Sequence, residues 1–456
     1  MGICGTGVGA LAGMLQKRGY TVTGSDQQVY PPMSDFLAGL GIEVKSGYRP
    51  ENLEPRPDLV IVGNVIRRNN PEALALAEAG IPYLSMPQAL SHFFLTEKTC
   101  LVVCGTHGKT TTSSLLATML HYAGEEPGFM IGGIVQAFKQ NFNVSAGRYF
   151  VIEGDEYDTA FFDKGPKFLH YQPDIAIITS IEFDHADIYN DLEAVKTSFR
   201  KLVRIMPASG RIIANIDDEI VREIVAEASC EVIGYGLSDQ AQWSFADLKV
   251  DHAKTTFIVT RNGAIFSEFA SPMPGHHNAM NTLAVTAAMD EIGISPQACR
   301  ESLARFPGVR RRQEVRGVRN GITVIDDFAH HPTAVKETLS ALRAAYSKNR
   351  LVAVFEPRTN SSRRNIFQTD YREVFDKADE IIIKTPIPLD NIPQEQMLSS
   401  RRLADDLIKR NKKAASFDST ETIIDYLKKT AANGDVLVIM SNGGFDDIHN
   451  RLLATL

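Results

Sequence analysis

Short runs of consecutive apolar residues alternate along this 456-residue chain with longer stretches whose apolar positions recur every three or four residues. Over residues 1–92 the order is GICGTG, ALAGMLQKRG, YTVTGSD, DLVIVG and PEALALAEAG. A short apolar run bounded by Gly, Asp or Asn fits a strand buried on both faces, and the periodic stretches fit helices laid on those faces. This rhythm predicts parallel α/β architecture. It restarts at TCLVVCGTHGKTTTSSLLATMLHYAG, with strands in RYFVIEG and DIAIITSI and a helix over NAMNTLAVTAAMDEIG. It restarts again after FPGVRRRQEV, with strands in GITVIDD, RLVAVFEP, EIIIKTP and DVLVIMSN. Three α/β domains are expected, over residues 1–92, 93–307 and 308–456: a Rossmann-like unit, a phosphate-loop unit and a second Rossmann-like unit.

The composition, 44% hydrophobic and 23% charged, is that of an ordinary globular protein. A formal net charge of −7 supplies no general attraction for nucleic acid. No window approaches 18 uninterrupted apolar residues, so no membrane span is expected. Five cysteines without a C-x-x-C pair fit reduced thiols and a cytoplasmic location. GIC follows Met1 at once, so the strand feeding the first glycine turn is nearly absent; an intact domain would carry several more apolar residues there, which points to a truncated or misassigned start. The pattern says nothing of oligomeric state.

Two glycine turns carry candidate chemistry. GTGVGA at 5–10 fits G-x-G-x-x-[GA], and Asp26 ends the next strand where a ribose-binding acid is expected. Such a turn brings backbone N–H groups to a diphosphate at a helix N-terminus. The same letters serve a nicotinamide cofactor, another nucleotide, or a turn that only packs helix against strand. The second turn, GTHGKTTT, has the strand–turn–helix setting of a phosphate loop. It departs from the Walker pattern G-x-x-x-x-G-K-[ST] because Val103 replaces the first glycine, leaving Gly105 and Gly108. Backbone N–H groups of Gly105, Thr106, His107, Gly108, Lys109 and Thr110 can surround phosphate oxygens, Lys109 can neutralise them, and the Thr110 hydroxyl can reach Mg²⁺.

Two further strand ends, VIEGDEYD and IAIITSIEFDHADIY, place Glu153 and the pair Asp184 and His185 on the edge of the sheet where ligands bind. A carboxylate there suits a nucleotide-bound metal. Imidazole is an unusual partner for Mg²⁺, so on chemistry alone His185 reads as a structural residue.

Taken in order, GTHGKTTT, EGDEYD, EFDHADIY, GHHNAMN, GVRRRQE and DDFAHHP resemble the Mur ligase family, whose ATP-dependent members build the peptide of peptidoglycan. The resemblance spans essentially the whole chain. It implies that the three domains bind a UDP-sugar, ATP and the incoming amino compound. It makes Gly105 to Thr111 an ATP-binding loop, Lys109, Glu153 and His185 catalytic, and Thr110, Glu153 and His185 ligands of Mg²⁺. It assigns Asn278 and Asn281 to adenine, and Arg312 and Asp327 to phosphate and ribose. The first turn (Gly5, Thr6, Gly7, Val8), Asp26 and Asn64 would hold UDP rather than a nicotinamide cofactor. Several members use a carbamylated lysine near the metals, and the sequence leaves open whether Lys196 or Lys201 is its counterpart.

Within the family, GSDQQVYPPMS, FEPRTNSS and MSNGGF look most like the member that joins the murein tripeptide L-alanyl-γ-D-glutamyl-meso-diaminopimelate to UDP-N-acetylmuramate in peptidoglycan recycling. Arg358, with Arg363 or Arg364, would pair with peptide carboxylates, and Asn360 and Asn442 would hydrogen-bond the peptide. The D-N-P-R sequence with which the diaminopimelate-adding member reads its amino acid is absent, and Asp390-Asn391-Ile392-Pro393 is not equivalent to it. Two alternatives remain at this level: the L-alanine-adding ligase of de novo synthesis, and a nonenzymatic nucleotide sensor that keeps the fold.

Overall fold

The computed structural model describes every residue except 31–32, 252–253 and 390–391. The first unit is built on helix Thr6–Lys17 and two small parallel pairs, Thr23–Asp26 with Glu43–Ser46 and Val60–Val62 with Tyr83–Ser85. Residues 1–3 run between the pairs. The N–H groups of Gly2 and Ile3 donate to the Ser25 carbonyl, the Met1 amine donates to the Ile61 carbonyl, and the Gly63 N–H donates to the Met1 carbonyl. No strand is assigned before the first glycine turn, as its few apolar residues predict, but these backbone bonds let residues 1–3 bridge the two pairs.

The second unit holds a sheet of ten strands among the described residues. At its centre Thr99–Cys104 lies parallel between Ile175–Ile178 and Tyr149–Gly154, as their runs of Val and Ile predict. Helix Lys109–Tyr122 is buried on all sides from Thr110 to Leu120 and packs against helices His276–Glu291 and Pro296–Ala304. Its small Thr, Ser and Ala residues permit that close approach. Helix Leu192–Ile205 is instead one-sided: Val195, Phe199, Leu202 and Val203 face the core, and Asp191 caps its N-terminus by accepting the Ala194 N–H at 2.9 Å. The apolar pattern missed the antiparallel extension Trp243–Asp251, Lys254–Arg261 and Ala264–Ser271. Only one face of those strands is covered, so polar residues interrupt them.

The third unit is a six-stranded sheet in the order Glu314–Arg319, Ile322–Asp327, Val436–Met440, Leu351–Phe355, Glu380–Lys384, Lys413–Phe417, parallel except for the first pair. Separate buried clusters line its two faces. No described helix is long and apolar enough to cross a membrane, and all five cysteines are free.

Candidate active site

The phosphate loop owes its shape to its two glycines. Gly105 has φ +131°, and a Cβ there would come within 2.1 Å of the Thr179 hydroxyl; Gly108 has φ +81°, and a Cβ would meet Asn281 at 2.8 Å. Both backbone conformation and space therefore demand glycine. Val103 instead lies inside the strand, paired with Ile177 and Glu153 and wholly buried, so the glycine missing from the Walker pattern belongs to a position this loop does not use. Ser180 anchors the loop, accepting from the Thr106 N–H through its carbonyl at 2.8 Å and from the His107 N–H through its hydroxyl at 3.1 Å.

Around the loop the structure gathers two adjoining groups. In one, the Thr110 hydroxyl donates to Glu153 Oε1 at 2.8 Å, while the Gly132 N–H donates to Glu153 Oε2 at 2.7 Å. In the other, Lys109 Nζ donates to Glu156 at 2.8 and 3.1 Å and to the Gly105 carbonyl at 2.6 Å, and His185 Nε2 lies 3.1 Å from Glu156 Oε1. Asp155 completes the second group: Asp155, Glu156 and His185 offer ligand atoms within 4.8 Å of one another, and Lys167 pairs with Asp155 at 2.7 Å. Thr110 and Glu153 thus come together, as do Lys109 and His185, but His185 is joined through Glu156 rather than Glu153. Burial opposes every charge here, yet mutual pairing prevails. Glu156 is held below the ordinary glutamate range by Lys109 and His185, and His185 is raised above that of histidine chiefly by Glu156. His185 has φ +54°, and its N–H donates at 2.7 Å to Asp184, whose buried carboxylate fixes this strained turn.

Sequence reasoning missed Asp155 and Glu156. EGDEYD holds three acids just past a strand end, and spacing alone could not say which meets Lys109. Lys196 pairs with Glu193 and Glu223 on the outer face of its helix.

The third domain closes over this site. Arg312 Nη2 donates to the Thr110 hydroxyl at 3.1 Å, its guanidinium 4.7 Å from the centre of the Phe328 ring. Asn278 and Asn281 lie buried on the first turns of helix His276–Glu291; Asn278 Nδ2 donates to the Pro274 carbonyl at 2.8 Å, and Asn281 abuts Gly108. Thr111 is buried in the first turn of the loop helix. Asp327 is engaged within its own domain, accepting from the N–H groups of Gln313 and Ala329, each at 2.8 Å, and from the Thr338 hydroxyl at 3.2 Å.

The first glycine turn stands apart. Gly5 and Thr6 are exposed at the start of a 12-residue helix with no acid in its first turn. Gly7 and Val8 follow on that turn; Gly63 lies close against Val8, and Asn64 beside it is exposed. Asp26 accepts from the Cys4 N–H at 2.9 Å and the Gln28 N–H at 3.1 Å, bracing the turn.

On the third sheet, Arg358 and Asn442 follow two adjacent strands, Leu351–Phe355 and Val436–Met440. The Arg358 side chain lies on Gly443, where a Cβ would sit 2.1 Å from Arg358 Cδ, and Asn442 Oδ1 is buried without a hydrogen-bond donor. Asn360 Oδ1 accepts from Arg363 at 3.4 Å. Arg364 donates to the Ala186 carbonyl of the second domain at 3.1 Å, which makes it a docking contact in this arrangement. Asp390 and Asn391 lie outside the described residues.

Comparison with known proteins agrees with this layout. Residues 1–98 match the model described as Mur ligase family, catalytic domain, residues 103–289 the Mur ligase middle domain, and residues 310–443 the Mur ligase glutamate ligase domain. The chain is 41% identical over 457 aligned positions to the UDP-N-acetylmuramate–L-alanyl-γ-D-glutamyl-meso-2,6-diaminoheptandioate ligase of Escherichia coli K12, covering 99% of this chain and 96% of that protein. It is 32% identical to a UDP-N-acetylmuramate–L-alanine ligase of Geobacter sp. M21, covering 100% and 96%. Among solved structures, a murein peptide ligase from Psychrobacter arcticus superposes with a TM-score of 0.73 at 35% identity, covering 100% and 97%. With three successive domain models and full-length relatives in agreement, the chain belongs to the Mur ligase family.

Proposed function

We propose that this protein joins L-alanyl-γ-D-glutamyl-meso-diaminopimelate to UDP-N-acetylmuramate at the expense of ATP. The observation that carries the ligase reading is the phosphate loop closed by Arg312, with Lys109, Glu153, Glu156 and His185 at its mouth. A carboxylate is a poor acyl donor because oxide is a hopeless leaving group. The lactyl carboxylate of the sugar nucleotide therefore attacks the γ-phosphorus of ATP, releasing ADP and forming an acyl phosphate. The neutral α-amine of the peptide adds to that carbonyl, the tetrahedral oxyanion collapses, phosphate leaves, and the nitrogen loses its proton.

The chain's own groups have distinct tasks. Backbone N–H groups at the loop and the N-terminus of its 14-residue helix face the phosphates. Lys109 exchanges Glu156 for phosphoryl oxygens, and Arg312 adds a second cation from the third domain. The oxygen donors Thr110 and Glu153 fit Mg²⁺, and Asp155, Glu156 and His185 offer a second set beside them; the ion bound there supplies charge neutralisation. The exposed helix start at Gly5 to Val8, with Asn64, holds the UDP diphosphate. Positioning of three reactants by closing domains contributes up to about 7–11 kcal/mol.

Preference for the tripeptide rests on the turn where Arg358 lies on Gly443 beside Asn442, which presents a guanidinium, 43% exposed, to a peptide carboxylate. Incubating the protein with ATP, the sugar nucleotide and the tripeptide, then measuring product mass, tests the reading. The expected product is the UDP-N-acetylmuramoyl tripeptide with one phosphate released per bond; ATP hydrolysis without amide formation would refute it.

A further inference from the structure

Beside the Thr110–Glu153 and Asp155–Glu156–His185 groups, three different segments deliver a further set of metal-ligating side chains to which the ligation chemistry gives no task. His107 comes from the phosphate loop, Glu182 from the loop after strand Ile175–Ile178, and His331 from the third domain, where it precedes helix Pro332–Ala345. Their ligand atoms all lie within 4.8 Å of one another. His107 Nε2 is 3.5 Å from Glu182 Oε1, and His331 Nδ1 is 3.8 Å from Glu182 Oε2. Tetrahedral ligands at the usual zinc distances stand about 3.3–3.5 Å apart, so small side-chain movements close the set.

The surroundings favour a metal over a simple hydrogen-bonded cluster. His107 Nε2 is buried, and despite its nearness to Glu182 it makes no hydrogen bond of acceptable geometry. His331 Nε2 lies 3.2 Å from the Phe183 carbonyl, a contact that places the ring proton there and leaves the Nδ1 lone pair toward Glu182. Backbone carbonyls commonly orient metal-bound histidines in this way. The Thr333 hydroxyl donates to Glu182 Oε2 at 2.6 Å and steadies the carboxylate. One contact competes: the Thr333 N–H approaches His331 Nδ1 at 3.3 Å, a long hydrogen bond that a metal would displace.

We propose that His107, Glu182 and His331 form a binding site for a divalent transition-metal ion of the zinc class, shared between the second and third domains. Two imidazoles and one carboxylate select zinc, cobalt or nickel over magnesium, whereas Thr110 and Glu153 offer oxygen only. Because the ligands span the domain boundary, the ion clamps the third domain onto the phosphate loop and opposes reopening. The site does not depend on which amine the enzyme accepts.

Cobalt titration of the chelator-stripped full-length protein, with millimolar Mg²⁺ present to fill the oxygen sites, tests the proposal. One cobalt ion per chain should give a visible ligand-field band, and zinc should bleach it by competition. His331→Ala and Glu182→Gln should each weaken cobalt affinity by at least about 100-fold, since loss of even an outer partner costs about 10- to 100-fold. His185→Ala, which alters only the neighbouring group, should leave the band in place. Binding of the sugar nucleotide to the first domain and a cooperative melting transition establish that each variant is folded. A wild-type protein with no band, a band that persists in His331→Ala, or one lost in His185→Ala but not in His331→Ala would overturn the assignment.

Discussion

Arg312 and Thr110 meet across the domain boundary, the guanidinium donating to the hydroxyl at 3.1 Å while that hydroxyl donates to Glu153. On the proposed reading this contact puts a cation from the third domain on the residue that would hold the metal, so nucleotide binding and closure would share one set of atoms. Arg312→Ala should lower turnover by about 100-fold or more, comparable to removing one preorganised donor from a charge-stabilising site. Arg312→Lys should recover little, because an ammonium cannot reproduce the planar fork. Steady-state kinetics under saturating sugar nucleotide and peptide provide the check.

Lys109 and Glu156 form a buried pair, 12% and 2% exposed. Removing one partner leaves the other charge stranded, so Lys109→Met should cost about 3–5 kcal/mol in stability and abolish ATP-dependent ligation, with sugar-nucleotide affinity nearly intact. The double variant Lys109→Met/Glu156→Gln should regain much of that stability and none of the activity. Denaturant unfolding with calorimetric titration of the sugar nucleotide separates the effects; lost sugar-nucleotide affinity would contradict two independent sites.

Arg311, next to Arg312, donates to the carbonyls of Ser441 and Gly443, both at 2.6 Å. These bonds hold the turn on which Arg358 rests. Arg311→Ala, Gly443→Ala and Arg358→Ala should therefore share a signature, a raised KM for the peptide that exceeds any rise for UDP-N-acetylmuramate. In Gly443→Ala the added methyl meets the Arg358 side chain directly. Equal changes in both KM values would remove Arg358 from the peptide site.

Asp326, in strand Ile322–Asp327, has Arg316 at 3.2 Å, Arg311 at 3.5 Å and His449 Nε2 at 3.3 Å, the last off-axis for a hydrogen bond. Burial alone would raise its pKa, but His449 and the arginines hold it below the ordinary aspartate value. A depressed carboxylate contributes stability that is present above the unfolded pKa near 3.9 and lost as pH falls through the folded value. The wild type should thus lose stability below about pH 4, whereas Asp326→Asn should be less stable at pH 7 and flatter toward acid. Thermal unfolding between pH 7 and pH 3 reads both slopes.

Much of the fold was legible in the chain. LVVC, FVI, IAII, VAVF and VLVIM are buried on both faces, so they stay apolar throughout and announce parallel strands. The antiparallel strands over 243–271 did not stand out, because half of their residues meet water. At the site, local context identified Lys109, Thr110 and Glu153. Glu156 was hidden among adjacent acids, and Arg311 among three successive arginines of which only one touches Thr110. His331 and Glu182 become neighbours only when the third domain docks, a relationship without any signal in local spacing. The short start reads as a nearly absent strand and no strand forms there, yet backbone bonds of residues 1–3 still bridge both neighbouring pairs, which the letters alone do not signal.

The turn at Arg358 and Gly443 is proposed to decide which amine the enzyme accepts. Phosphate release with saturating ATP and UDP-N-acetylmuramate, measured against varied tripeptide and, separately, varied L-alanine, gives the two kcat/KM values directly. The tripeptide should exceed L-alanine by at least about 10-fold, as expected when the lost contacts include a charge-assisted hydrogen bond worth roughly 1.5–3 kcal/mol. Equal values, or a preference for L-alanine, would contradict it.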